Sequence, residues 1–524
     1  MKIKILYSYL FHIQKQINIL KKYINLDILN YLPEDFFKLI SGIKEEVTIK
    51  GKNDFLVDTI IFLIYFKIIN GSNITFELQK NILKINNTDV FNNYIDNVKD
   101  LILKEDLEKI NFPDIPIVIL TYNRYKQLKE CIEEYKNNLK LFNHNKVEIF
   151  VSDDSDIDYF LIENKKLENI FNIKVIDPRE KTLFIQKKFN KFKNDYIYYV
   201  FGGHNVKPSY GKNRNFVSLY FYDKSFISLD DDSLPYTLTI KPKTIYNYIV
   251  NLDYISESNL NSIQVDNKET FLLPVDFYTY YKFFGKELMF SKYCGTKDME
   301  TYYLLLKQMN FDLKELGVTN EERLKPDYFL YDKKINVGAG IHTLCTYFPK
   351  DFKNKITISS NYRIEDLIIG ANYYIEKNIM PLEVAFSIFH NREKIENIDK
   401  TSIENQIFTK EIYPKYLELL NLLGQNDFFN KFSLYINNNF INIDKNKILD
   451  TKGYINYLHK IYSNALRNCQ NSIDKGNLIS ILNVFSELSL ISEDDLKNKM
   501  ENFTNIIFKE LARNFIIYKY IEYF

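Results

Sequence analysis

The chain has 524 residues, of which 46% are hydrophobic and 26% are charged. This length exceeds one ordinary hydrophobic core, and the composition excludes a disordered chain, so we expect several globular domains. Lys and Arg (69) balance Asp and Glu (68) to a net charge of +1, so no overall field attracts nucleic acid, which we do not expect as a partner. The four cysteines are scattered without a CxxC pair, which disfavours thiolate metal sites and disulfide frameworks and favours a cytoplasmic location.

Residues 1–112 are predicted to form a helical accessory domain. Apolar residues recur there at spacings of three and four, for example over 5–20 and 91–102. The N-terminus lacks the pattern of a signal peptide, and the most apolar window, 55–69, contains Asp58 and Lys67 and is too short to span a bilayer. We therefore expect a buried helix in a soluble protein, and an accessory or assembly role for this region.

Residues 113–395 are predicted to form an α/β domain. Pro113 and Pro116 mark its start, and strand-like and helix-like stretches then alternate. This alternation predicts right-handed crossovers and a mostly parallel sheet flanked by helices. The expected helices include 125–141 and 211–222, and the expected strands are 117–120, 147–151, 173–176, 196–201, 226–229 and 335–342.

Residues 396–524 are predicted to be helical, apart from an asparagine-rich break at 437–446. The apolar side chains near the end of the chain could cover a core or face a partner or a membrane surface, and the core is the favoured interpretation. These side chains are Phe508, Leu511, Phe515, Ile516 and Tyr520.

Three consecutive carboxylates, Asp230, Asp231 and Asp232, follow the predicted strand 226–229, and Pro235 ends the segment. Ligands of open α/β sheets bind beyond the carboxyl ends of the strands, so these side chains should lie at the mouth of a site. Adjacent anions repel one another unless a cation or a cluster of donors lies among them. Carboxylate oxygens suit Mg²⁺ or Mn²⁺ together with substrate phosphates. The alternative is a solvated acidic turn.

Taken together, residues 113–395 resemble the GT-A class of nucleotide-sugar glycosyltransferases, most closely the large inverting family 2. The resemblance implies a Rossmann-like catalytic domain between helical N-terminal and C-terminal regions. It rests on five segments in the expected order: 118–124; 150–155; 211–215 followed by 228–232; 337–340; and Glu365 with Asp366, followed by His390.

For the donor nucleotide sugar, the resemblance implies binding at the ends of the first two strands and around the glycines. Asp153 or Asp154 would contact the base, and which of them does so stays open; the alternative is that Asp154 caps the next helix. Arg214 would lie about four turns before Asp230 on a regular helix, on the nucleotide side or in a structural ion pair. The implied donor-binding residues are Thr121, Asn123, Arg124, Asp153, Asp154, Arg214, Asp230, Asp231, Gly338 and Gly340.

The resemblance also implies a divalent cation, Mn²⁺ or Mg²⁺, that stabilises the departing diphosphate. Asp232 would bind the ion directly, Asp230 would face the ion or the ribose, and Asp231 is the variable middle position. His390 would bind the same ion or the diphosphate, and its alternative is a structural histidine.

Asp366 is the predicted catalytic base, because inversion by direct displacement needs a carboxylate near the acceptor hydroxyl. Glu365 would support it as a neighbouring anion that raises its pKa. The alternative makes both residues ordinary first-turn acids, stabilised by the helix dipole, which would lower the pKa.

The predicted function is a metal-dependent inverting glycosyltransferase of the hexosyltransferase type. It would transfer a sugar from a nucleotide-diphosphate donor, with a UDP-sugar implied by the resemblance, to a hydroxyl of a glycan, lipid-linked or protein acceptor. The helical flanks could mediate self-association or peripheral attachment to the inner membrane face. One alternative is a sugar-phosphate nucleotidyltransferase, which would need a glycine-rich loop where residues 121–124 stand. The other is a non-catalytic binding or assembly protein.

Overall fold

A computed structural model describes residues 114–391 and 400–522, with gaps at 142–143, 191–194, 240–261, 266–267, 276, 279–280, 282–287, 296–343, 361–363, 380 and 471. The predicted helical domain over 1–112 lies outside the described residues. So does the predicted strand 335–342, with Gly338 and Gly340.

The described residues form eleven strands and eleven helices. The strands are β1 (Ile117–Thr121), β2 (Ile149–Asp153), β3 (Lys174–Ile176), β4 (Phe226–Asp230), β5 (Ser233–Leu234), β6 (Tyr236–Thr239), β7 (Ser262–Val265), β8 (Lys268–Pro274), β9 (Met289–Gly295), β10 (Cys345–Phe348) and β11 (Leu382–His390). The helices are α1 (Tyr125–Leu141), α2 (Asp158–Phe171), α3 (Pro178–Lys188), α4 (Tyr196–Phe201), α5 (Tyr210–Tyr220), α6 (Glu365–Lys377), α7 (Lys400–Leu423), α8 (Phe428–Asn438), α9 (Lys445–Asn468), α10 (Ser472–Leu490) and α11 (Glu493–Glu522).

The main sheet has the strand order β3-β2-β1-β4-β10-β9-β11-β5, and β6-β8-β7 form a second, antiparallel sheet. Strands β3, β2, β1 and β4 are parallel neighbours, whereas β10 is antiparallel to β4. The predicted α/β class, with a mixed and mostly parallel sheet, is confirmed. The chain builds outward from β1 to β3 and then returns to place β4 on the other side of β1. This reversal is a topological switch point, where open α/β sheets bind ligands.

The parallel half of the sheet is covered on both faces, which explains its continuous apolar strands. All five residues of β1 are buried. Helix α1 has the predicted bounds, and it begins after a turn in which Asn123 adopts a left-handed φ of 54°. Its buried residues recur at spacings of three and four, as an amphipathic helix requires: Leu128, Cys131, Ile132, Tyr135 and Leu139.

The segment 196–201 is helix α4, so the prediction of a strand there is wrong. Its buried residues are Ile197, Val200 and Phe201, which lie on one face of a helix but not on one face of a strand. Gly202 ends the helix with a φ of 78°, and its N–H donates to the carbonyl of Tyr198. The predicted helix 211–222 is α5, which ends at Tyr220, so strand β4 and not a regular helix leads into Asp230.

The described chain from 400 onward is helical, and helix α11 packs against the α/β layer. Phe508, Leu511 and Phe515 belong to the same hydrophobic cluster as residues of α5 and β4, which confirms the core interpretation for these three side chains. Ile516 and Tyr520 are instead 40% and 46% exposed. None of the helices in the described ranges is long and apolar enough to cross a membrane.

Candidate active site

The carboxyl ends of β1 and β4 bring Thr121 and Arg124 to the acidic triplet. Leu120 is paired with Asp230, so the residues that follow the two strands meet at the switch point. Thr121 Oγ1 donates to Asp231 Oδ2 over 2.6 Å. Arg124 Nη1 lies 3.0 Å from Asp231 Oδ1 and 3.2 Å from Asp232 Oδ2. One guanidinium thus compensates two of the three negative charges.

His390 reaches the triplet through strand pairing. Strand β11 pairs antiparallel with β5, which sets His390 opposite Ser233, the residue after the triplet. The imidazole Nε2 lies 3.4 Å from Asp232 Oδ2, and the N–H of Asn391 donates to the carbonyl of Asp232 over 2.7 Å. The predicted proximity of His390 to the acidic triplet is therefore present in the structure.

Arg214 joins the triplet to the predicted base. Its Nη2 lies 3.2 Å from Asp230 Oδ1, and its Nε lies 3.5 Å from Asp366 Oδ1 at the start of α6. Helix α5 presents Arg214 here because Gly211 packs against the backbone of Ile358. A Cβ on Gly211 would stand 1.8 Å from the carbonyl oxygen of Ile358, so no other residue permits this approach.

Burial dominates the electrostatics of the triplet. It raises the pKa of Asp230 to about 6, against the opposing effect of Arg214. It raises the pKa of Asp231 to about 7, against the opposing effect of Arg124. Asp232 adds to both increases through repulsion between like charges. The triplet is thus a buried, arginine-compensated cluster, which differs from a solvated acidic turn.

The two candidate base-binding carboxylates differ in their contacts. Asp153 Oδ1 accepts from the N–H and Oγ of Ser155 at 2.8 and 2.6 Å, and Oδ2 accepts from Asn164 Nδ2 at 2.8 Å. Asp154 Oδ1 contacts Lys181 Nζ, whereas its Oδ2 is buried without a hydrogen-bond partner. Both carboxylate oxygens of Asp153 therefore accept hydrogen bonds from the protein, whereas one carboxylate oxygen of Asp154 has no hydrogen-bond partner.

Asn123 connects two loops at the switch point. Its N–H donates to Ser155 Oγ over 2.9 Å, and its Nδ2 donates to Asp156 Oδ1 over 2.7 Å. These bonds hold the turn after β1 against the turn after β2. The structure thus places Asn123 in a scaffold role, beside the predicted site.

Lys181 and Asn213 form a buried polar network that the sequence did not predict. The side chain of Lys181 is fully buried, and its Nζ contacts Asp154 and donates to Asn213 Oδ1 over 2.9 Å. Asn213 Nδ2 donates in turn to the carbonyl of Ser152 over 2.9 Å. No sequence signal distinguishes this lysine, because most lysines on amphipathic helices are exposed.

The acidic triplet has suitable donor atoms for Mg²⁺ or Mn²⁺ but an unsuitable arrangement. Within the described ranges, no group of three or more His, Cys, Asp or Glu side chains could hold a metal ion. Arg124 lies between Asp231 and Asp232, and Arg214 lies beside Asp230. A divalent cation bound by these carboxylates would have to displace Arg124, so the residues as arranged do not fit the ion.

The structure gathers most of the described site residues into one cluster at the switch point and leaves four at its edge. Asn123 bonds to the turn after β2, Asp153 bonds to Ser155 and Asn164, Asp154 contacts Lys181, and Glu365 is 8% exposed at the start of α6. The gathered residues are Thr121, Arg124, Arg214, Asp230, Asp231, Asp232, Asp366 and His390. No family model matches this chain, and no curated protein sequence matches it.

Proposed function

We propose that the protein is a glycosyltransferase of the GT-A class, which transfers a sugar from a nucleoside-diphosphate donor to an acceptor hydroxyl with inversion. The observation that supports this most strongly is the cluster at the switch point, where two arginines and a candidate base surround three carboxylates. Nucleotides bind at such switch points, and the strand order 3-2-1 on one side of this switch point is that of a nucleotide-binding half-domain.

The donor's base would be held at the end of β2. Asp154 Oδ2 is the acceptor atom there without a partner, and the imide N–H of a uracil is a matching donor. This assigns the base contact to Asp154 and a scaffold role to Asp153. A contact between uracil and Asp154 agrees with a UDP-sugar as the preferred donor. The acceptor would be a glycan, a lipid-linked sugar or a protein.

The donor's diphosphate would be held by the arginines. Guanidinium groups bind phosphate oxygens in a bidentate manner and stay charged when buried. Arg124 and Arg214 are both fixed by carboxylates of the triplet, so their orientation is set before a ligand arrives. This preorganisation would favour the charge that develops on the leaving diphosphate.

Asp366 would accept the proton of the acceptor hydroxyl. Its side chain is 29% exposed, so an acceptor can reach it, and Arg214 favours its ionised form. A base must be ionised to act, and the neighbouring cation serves that requirement. Glu365 is buried and would have a supporting position on the same helical turn.

Metal dependence remains a separate part of the proposal. Asp230 and Asp232 carry oxygen atoms of the kind that Mn²⁺ and Mg²⁺ bind, but the residues as arranged do not fit the ion. The guanidinium groups already contact the oxygens of Asp230 and Asp232, so the need for a cation is decided by assays with and without Mn²⁺.

The test is release of nucleoside diphosphate from UDP-, GDP-, CDP- and dTDP-sugars, each with Mn²⁺ and with a chelator. We expect turnover with one donor class, and a loss of about a hundredfold or more in Asp366→Asn. Asp158→Asn, an exposed acid at the start of α2, is the matched control and should retain wild-type turnover. Inactivity with all donors under both conditions would contradict the proposal and favour a non-catalytic role.

A further inference from the structure

Apart from the cluster at the switch point, a cavity with a volume of about 810 Å³ lies between the α/β layer and the C-terminal helices. Its walls come from α3, α4, the loop before α5, the first turn of α5, residues 359–360 and the start of α7. This volume suits a small organic ligand, and such sites are frequent at junctions between structural layers.

Helix α5 separates this cavity from the cluster at the switch point. Lys212 and Arg214 are two residues apart, so their side chains diverge by about 200° around the helix. Arg214 faces Asp230 and Asp366, whereas Lys212 lines the cavity. The two compartments are close neighbours, because a Cβ on Gly202 would lie 3.7 Å from Lys212 Cβ and 3.8 Å from the carboxylate of Asp154.

Lys212 gives the cavity its chemical character. The residue is 5% exposed, its Nζ donates to the carbonyl of Lys207 over 2.6 Å, and the ammonium lies 4.8 Å from the ring centre of Tyr199. Among the described residues, no carboxylate lies within ion-pair distance of this ammonium. Burial lowers the pKa of Lys212, and the carboxylates of Asp154 and Glu510, which lie beyond ion-pair distance, oppose this shift only in part. A bound anion would supply a close counter-ion.

The surroundings of Lys212 also favour an anion. Lys207 and His204 line the cavity, and Asp195 is the one carboxylate among its lining residues. The first turn of α5 borders the cavity, and although the N–H of Lys212 already donates to Ser209 Oγ, the positive end of the helix dipole still favours an anion there. Here the helix end is accompanied by a buried lysine and a cavity that is open to solvent on one side, and the ring of Tyr198 lines that cavity.

We propose that this cavity binds a phosphate monoester of a small ring compound, such as a sugar phosphate or a nucleoside monophosphate, with the phosphate at Lys212. The ring would lie against Tyr198, since Tyr199 is already stacked on Tyr196. The proposal does not rest on the proposed glycosyltransferase activity, because it concerns binding alone. It names a site that is distinct from the one at the acidic triplet.

The test is calorimetric titration of the full chain with inorganic phosphate, glucose 1-phosphate and UMP. We expect at least one phosphate ester to bind, and Lys212→Gln to weaken its binding by about tenfold or more. Lys207→Gln should weaken it by about threefold, because its exposed ammonium is screened by solvent. Lys187→Gln removes an exposed charge elsewhere on α3 and should bind as the wild type does.

Competition with UDP shows whether the phosphate ester binds in a second site or in the proposed donor site. If the ester and UDP bind at the same time, the cavity is a second site, as proposed. If UDP displaces the ester in a Lys212-dependent manner, the cavity belongs to the donor nucleotide and the assignment of a second site is overturned. It is also overturned if the wild type binds none of the three probes at millimolar concentration, or if a folded Lys212→Gln variant retains wild-type affinity.

Discussion

Arg214 Nε lies 3.5 Å from Asp366 Oδ1, and the same guanidinium contacts Asp230 at the end of β4. One buried cation thus connects a strand of the sheet, the first turn of α6 and the acidic triplet. The side chain of Arg214 is 6% exposed, so water has little access to the place that its positive charge occupies.

Arg214→Gln should lower the free energy of unfolding by about 1–3 kcal/mol, since it removes the buried counter-ion of two carboxylates that are themselves 28% and 29% exposed. Urea denaturation measures this change. Arg179→Gln, at an exposed position on α3, is the control and should change stability by less than about 0.5 kcal/mol. In the double variant Arg214→Gln/Asp230→Asn, part of the loss should be recovered. Additive effects of the two substitutions would contradict the ion pair.

Arg124→Ala should increase the affinity of the protein for Mn²⁺ by about tenfold or more, because it releases oxygens of Asp231 and Asp232 from the guanidinium. Electron paramagnetic resonance of free Mn²⁺ during titration measures the affinity. Arg179→Ala serves as the charge-matched control. Equal Mn²⁺ affinity of the wild type and Arg124→Ala would show that Arg124 does not occupy the place of a cation.

Gly211→Ala should destabilise the protein by about 3 kcal/mol or more, because the added Cβ would overlap the backbone of Ile358 and displace α5. Gly453→Ala in α9 is a matched control. No atom lies within 4 Å of a Cβ at Gly453, so this substitution should stabilise the helix by about 1 kcal/mol. Thermal unfolding of both variants distinguishes the steric effect from helix propensity. A Gly211→Ala variant as stable as the wild type would refute the close approach.

Lys355→Met should raise the free energy of unfolding near pH 7 by roughly 2–4 kcal/mol. Lys355 Nζ is buried without a hydrogen-bond partner, and burial lowers the pKa of Lys355 from 10.5 to about 7. Between pH 7 and pH 10.5, Lys355 is protonated in the unfolded chain and neutral in the folded protein. Stability from this group is therefore greatest above pH 10.5 and decreases as the pH falls toward 7.

Denaturation curves between pH 7 and 10 test this effect. The wild type should gain stability across this range relative to Lys355→Met, in which the contribution of the lysine is absent. Lys187→Met, at an exposed position, should keep the wild-type slope. Parallel pH profiles for the wild type and Lys355→Met would mean that the ammonium is solvated in the folded protein.

Local patterns in the sequence were sufficient to predict the parallel half of the fold. The bounds of α1 and the end of β4 at Asp230 follow from apolar spacing, because each element buries one continuous apolar surface. Helix α4 was mispredicted because its aromatic content suggested a strand, although the spacing of its buried residues is helical. Composition and periodicity conflicted there, and tertiary packing favoured the helix.

Contacts within the candidate site depend on pairings that a single sequence does not encode locally. His390 meets Asp232 because β11 pairs with β5, and only the order of the motifs suggested that proximity. Lys181 comes from a helix position whose charge usually faces solvent, and Arg124 lies in the turn between β1 and α1. The sequence therefore predicted that Arg124 and Arg214 belong to the site, with an ion pair as the alternative for Arg214, but not which acid each cation contacts, nor the role of Lys181.

Glu510 of α11 accepts hydrogen bonds from the N–H groups of Ser359 and Ser360, and Asn514 donates to the carbonyl of Thr357. Helix α11 therefore supplies hydrogen-bond partners to backbone groups of residues 357–360, which lie outside the strands, in the segment between β10 and α6. A shortened chain that stopped after β11 would lose these partners and would uncover apolar side chains of α5. The C-terminal helices are thus part of the structural support of the α/β layer, and that layer would have to repack if they were removed.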